Sequence, residues 1–274
     1  MAQKNLKLIY ALKDGEITSI DEVERGAECG CVCPACGAPL MARKGKKMMH
    51  HFAHCAGNDC EYGYEFSLRL AVKEILTKAG KITLPPVSVK FPNSYKSNEL
   101  VSEAREVPVE RVGLEYRFDD VVPDIMVHTG GEQFFVGIRI AREMEEQKLN
   151  ELQKADISVI EINLSRVMGT ISIEELTEIL LCNREEKQWK YNALANRYLQ
   201  MIIRAADKRD FTTRGFAMHV DDCPIRAREW RGKPYANFID DCLDCKYCIS
   251  HTYEGGILCS GRTRVASVED LKID

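Results

Sequence analysis

Of the twelve cysteines among 274 residues, eleven fall in two clusters, Cys29 to Cys60 and Cys223 to Cys259, and this distribution constrains the chain more than any other feature. Only Cys182 stands apart. Thiols gathered at short spacings either pair as disulfides in an oxidising compartment or hold metal ions in a reducing one. The opening MAQKNLKLIYALKDG lacks an apolar run of signal-peptide length, and no later run approaches the ~20 residues of a membrane helix. The expectation is a cytoplasmic protein with no membrane partner, carrying a metal module at each end and an α/β body between. A formal charge of −4 places any nucleic-acid contact on local patches rather than on a global basic field.

In the first cluster Cys33 and Cys36 form a C-x2-C knuckle ending in Gly37, a turn that faces two thiolates toward one ion. His51 and His54 follow at a spacing of three, which shares one face if a helical turn begins there, and completes a zinc set of two cysteines and two histidines. Cys60 can replace one histidine, while Cys29, Cys31 and Cys55 are spare. Between the halves RKGKK, Arg43 to Lys47, reads as the tip of a small hairpin, solvated or touching phosphate.

The body begins with YEFSLRLAVKEILTKA, whose Leu68, Val72, Ile75, Leu76 and Ala79 recur at helical spacing. Glu65, Arg69 and Lys73 form a polar stripe beside them, a solvated ladder or a nucleic-acid contact. Proline-broken extended segments lead to VPDIMVHTGGEQFFVGIRIA, two strands joined at Gly130 and Gly131. AREMEEQKLNELQKA then reads as a helix with Met144, Leu149 and Leu152 inward, and ISVIEINL as a strand. This order predicts a mixed sheet flanked by helices.

The succession CPACG, HFAH, Glu65 on a helix, PDI, a β-hairpin, VGIRIAREMEEQK and VIEINLS resembles the competence-protein CoiA-like family over about residues 30 to 165. The resemblance implies a PD-(D/E)XK restriction-endonuclease-like core acting on DNA, in competence or DNA recombination. It matches Glu65 to the acidic residue of the first helix, Asp124 to the aspartate of the PD motif, and Arg139 to the place of the lysine. Gly137 sits where the metal-binding glutamate belongs, and Ala141 and Arg142 stand where many relatives read Thr-His. Such sites hold Mg2+ or Mn2+ with carboxylate oxygens, and Gly137 offers none. A relocated carboxylate from Glu143, Glu145, Glu146 or Glu161 would restore one, although each also reads as a surface or helix N-terminal acid.

Further on, ISIEELTEILL reads as a helix capped by Ser172, and QWKYNALANRYLQMIIRAADKR as a longer one burying Tyr191, Leu194, Ala195, Tyr198, Ile202 and Ala205. Lys190, Arg197, Arg204 and Lys208 would then line one side, suited equally to solvent and to a phosphate backbone. In the second cluster Cys223, Cys242, Cys245 and Cys259 suit a second structural zinc. With Cys248, the C-x2-C-x2-C run and the proline after Cys223 also suit an iron–sulfur cluster. Arg226, Arg228, Trp230, Arg231, Lys233 and Tyr235 interleave cations with aromatics, as single-strand binders do.

The expected organisation is a zinc module over 1–60, a nuclease-like core over 61–183, a basic helix over 184–209 and a Cys-rich module over 210–274. The expected function is nucleic-acid binding by a degenerate nuclease core. An active Mg2+ or Mn2+ deoxyribonuclease with a relocated carboxylate, and a zinc-stabilised adaptor for a protein partner, are the alternatives.

Overall fold

The computed structural model describes residues 7–46, 48–57, 60, 62–92, 94–115, 124–140, 144, 146–166, 171–252 and 255–271. The chain forms two compact units, Met1–Pro85 with Ala104–Tyr191, and Pro86–Glu103 with Asn192–Asp274. Both mix helices with small sheets, so the α/β class read from the sequence is present. No helix among the described residues is long and apolar enough to cross a membrane.

The first unit is built on a sheet of β1 (Arg111–Glu115), β2 (Asp124–Thr129), β3 (Glu132–Arg139), β4 (Ser158–Asn163) and β5 (Lys187–Tyr191), in that spatial order. Neighbours are antiparallel except β3 and β4, which are parallel. The β2–β3 hairpin turns through Gly130 and Gly131 at φ 53° and 79°, left-handed values that glycine adopts without a Cβ clash. A parallel step needs a crossover, and α2 (Glu146–Lys154) lies on it.

Side chains alternate across the sheet, and each face finds its own helix. Val112, Ile125, Val127, Phe134, Val136, Ile160 and Ile162 join Leu68, Ala71, Val72, Ile75 and Leu76 of α1 (Gly63–Ala79) in the larger core. Met126, Phe135 and Val159 pack with Leu152 of α2 on the other face, where Met144 and Leu149 join them. Helix α1 stops at Gly80, whose left-handed backbone returns its N–H to Leu76 O. The N-terminal strands Tyr10–Lys13, Leu40–Arg43 and His51–His54 bring Tyr10, Leu40 and Phe52 into the same core as α1.

Helix α3 (Ile173–Leu181) starts at the Ser172 cap, whose hydroxyl accepts from Glu175 N–H. Its last carbonyls are met by Lys187, 1% exposed, whose Nζ donates to Leu180 O at 2.8 Å and to Cys182 O at 2.9 Å.

In the second unit the strand Val87–Val89 pairs with Glu99–Ser102. Val89 and Phe91 pack with Ile202 of α4 (Ala193–Arg204), Ile249 and Val268. A separate core gathers Val220, Ala236, Phe238 and Ile257 with four cysteines.

Two local expectations are corrected. The run from Gln188 to Arg209 is not one helix. β5 ends at Tyr191, Asn192 caps α4 by accepting from Ala195 N–H, and Lys208 lies on the strand Asp207–Arg209. The basic line is thereby divided, and Leu194 is exposed rather than buried. His51 to His54 is a strand paired with Leu40–Arg43, not a helical turn, so residues three apart point to opposite faces.

Candidate metal centre and the Gly137 face of the sheet

Cys33 opens a tight turn in which Gly37 N–H donates to Cys33 O and Cys33 N–H to Ala38 O, both at 2.8 Å. Gly37, at φ 70°, supplies the left-handed backbone that closes it. The turn brings the Cys33 and Cys36 sulfurs to His54, and the three donor atoms lie within 4.8 Å of one another. Cys36 Sγ is 3.3 Å from His54 Nε2. Burial pushes the Cys33 thiol up to about 12. Burial opposes ionisation of Cys36 too, yet the Ala38 amide and then the Cys33 and Cys60 thiols hold it below its ordinary value.

Two soft sulfurs on a turn closed by backbone hydrogen bonds, with an imidazole beside them, fit zinc, which displaces the thiol protons as it binds. Cys60, in hydrogen-bonding reach of Cys36, is the nearest candidate for the fourth donor. His51 is not: its Nδ1 lies 3.0 Å from Met49 O, and its strand position directs it away from His54. The spare thiols also have positions. Cys29 and Cys31 are buried and donate to Leu40 O and Cys29 O, whereas Cys55 is exposed.

On the sheet, Gly137 is the register partner of Glu161 on β4. A Cβ at 137 would meet the Met144 Cε at 2.9 Å and Phe135 at 3.1 Å, so a methionine methyl fills the space a side chain there would take. Glu161 is 5% exposed, and its Oε1 lies 3.1 Å from Lys190 Nζ and 3.9 Å from Arg139 Nη1. The pairing of β4 with β5 slips between Val159 and Ile160, leaving Lys190 without a register partner, as a bulge that re-aims a side chain does.

Glu65, in the first turn of α1, lies 3.9 Å from Arg69 Nη1, and Arg69 also donates to Glu65 O at 3.2 Å. Lys73 is half-buried one turn on. Asp124 opens β2 opposite Glu115, but its side chain, with Ala141, Arg142, Glu143 and Glu145, lies outside the described residues. Arg197 and Arg204 are exposed on α4. The sequence reading missed that Glu161 would be buried between two cations. The alternation in VIEINL held that signal, since a lone acid in an otherwise apolar run sits among core neighbours.

In the second unit Cys223, Cys242, Cys245, Cys248 and Cys259 all line one cavity. Burial raises Cys242 and Cys248 to about 12 and also lifts Cys259, so all three are thiols in the absence of a metal. Trp230 stands exposed on the strand Arg228–Trp230, with the Arg231 guanidinium 4.6 Å over its ring. Arg226 pairs with Glu229, and Arg228 with Asp240 and Asp241.

Among known proteins, residues 16–63 match the family model described as competence protein CoiA, N-terminal domain. No curated protein and no solved structure matches the chain. The matched segment holds Cys33, Cys36 and His54, so the candidate metal centre and the family likeness rest on the same residues. Over this N-terminal segment the chain is similar to the CoiA family.

Proposed function

We propose that the chain binds nucleic acid, and that the Gly137 face is a degenerate nuclease site that cuts weakly or not at all. The Glu161 carboxylate carries this reading. In a metal-dependent nuclease, hard oxygens hold an ion that orients the attacking water and offsets charge on the phosphate. Here the buried carboxylate beside residue 137 is already neutralised by Lys190 and Arg139. Arginine, with a pKa above ~12, is a poor proton acceptor. A metal binding at this place would have to displace a cation, and a glutamate at 137 would have to displace the Met144 methyl.

The wild-type protein is expected to leave single-stranded and duplex DNA intact in Mg2+ or Mn2+. Cleavage that disappears in Asp124→Ala would overturn the reading and require a relocated carboxylate, from Glu143, Glu145, Glu146 or Glu161.

Binding is supported by the exposed Trp230, which offers a stacking face for a base with Arg231 beside it. Trp230→Ala is expected to weaken binding to a single strand by about 1–3 kcal/mol, a factor in Kd of roughly five to just over one hundred. A salt series completes the test: affinity should fall as salt rises, because cations on the protein release counterions from phosphate. Binding that is absent or insensitive to salt would instead favour an adaptor for a protein partner.

A further inference from the structure

The two cysteine clusters differ in how their sulfurs are spread. At the N-terminal centre, three donor atoms lie within 4.8 Å of one another, as ligands of a single ion must. The five C-terminal cysteines line one cavity, yet among the described residues no three of their sulfurs approach one another that closely. They are nevertheless one group. Cys242 interacts electrostatically with each of the other four, and Cys259 with Cys245 and Cys223. Four thiolates on one zinc at about 2.3 Å stand less than about 4 Å apart. In a four-iron cluster each cysteine ligates a different iron, so the sulfurs surround a larger body and stand further apart.

A second observation concerns Arg209. Its Nη1 donates to Asp222 O at 3.0 Å, but its Nε–H is buried without an acceptor among the described residues. Arg209 lines the same cavity, and its charge acts on Cys259. A buried donor left without an acceptor is costly, and a thiolate or inorganic sulfide in the cavity would satisfy it while the guanidinium offsets negative charge. The rest of the wall is largely apolar, with Val220, Pro224, Ile225, Ala236 and Ile257, as suits a cluster kept from water.

We infer that the C-terminal unit holds a four-iron, four-sulfide cluster on Cys223, Cys242, Cys245 and Cys259. Cys248 is the extra thiol: its Sγ lies 3.9 Å from Ser250 O, a contact that suits a protonated sulfur. Cys242 is central, ending the short helical turn Phe238–Cys242 and carrying the next turn, in which Cys245 N–H donates to Cys242 O.

The test uses the full chain, purified without oxygen and, in parallel, reconstituted with ferrous iron and sulfide. The expected result is a brown protein with broad absorption at about 400 nm, and about four irons, four inorganic sulfides and a single zinc per chain. A count near two irons overturns the four-iron assignment. Two zincs with no colour after reconstitution overturns the cluster altogether. Cys242→Ser is expected to lose at least about ten-fold of the bound iron, while Cys248→Ser keeps it. Iron lost from Cys248→Ser but kept in Cys242→Ser overturns the ligand assignment. Should Cys242→Ser fail to fold, the wild-type metal count still decides. Cys33→Ser serves as the reference, losing zinc and keeping iron.

Discussion

Cys33→Ser is expected to release the N-terminal zinc and to destabilise the first unit by on the order of 5 kcal/mol. Zinc-finger peptides gain ~10–16 kcal/mol from their ion because they have no other core, whereas this centre borders one that persists. Cys33 is 1% exposed within the core that also holds α1. A Cβ on Gly63, at the start of α1, would lie 3.3 Å from its sulfur. Loss of the ion therefore loosens the α1 N-terminus as well as the turn. Zinc content and the thermal midpoint with and without a strong chelator measure both effects. Cys60→Ser should behave as Cys33→Ser does, while His51→Ala should keep its zinc. The opposite pattern at 60 and 51 would show that His51, not Cys60, completes the set.

The second large effect is a pH dependence centred on Lys187. Burial lowers this lysine from 10.5 to about 8, while the Leu180 and Cys182 carbonyls offset part of the cost of its charge. Between those values the unfolded chain holds the proton more tightly than the folded one, so stability rises with pH through the window. Below about 8 the amine is charged in both states and the burial cost is present in full. Relative to Lys187→Met, the wild type should gain up to about 3 kcal/mol between the two pKa values, at about 1.4 kcal/mol per unit. Urea melts of both proteins at several pH values give the difference. A difference that stays flat, or falls, would show that Lys187 keeps its proton in the fold.

The parts of the fold legible in the sequence were those governed by one local rule. Leu68, Val72, Ile75 and Leu76 follow helical spacing and are buried, and Gly130–Gly131 form the turn their dipeptide favours. The errors arose where two rules competed. HFAH has a three-residue spacing that suits a helical metal site, but it is also the return strand of a hairpin around RKGKK, and pairing with Leu40–Arg43 prevailed. KQWKY has a polar, mixed pattern that continues a helix, yet Asn192 behind it is a cap signal, and β4 offered it a sheet edge. Tertiary pairing decided both, and a single sequence does not display it. The company of Glu161 was hidden for the same reason, since Lys190 reaches it only because β5 lies beside β4.

The division of the second unit between two stretches of sequence has a consequence in time. Phe91 precedes its core partner Ile202 by 111 residues. At ~5–20 residues per second, synthesis takes roughly 6–22 s to cover that distance. Ala104–Tyr191 is made and the first unit, to which it belongs, can fold in that interval, while Val89 and Phe91 await core partners that do not yet exist. The nascent chain therefore passes through a stage in which the first unit is complete and carries an apolar segment whose core partners are not yet made, the kind of surface that chaperones capture. A chain terminated after Tyr191 would remain at that stage permanently.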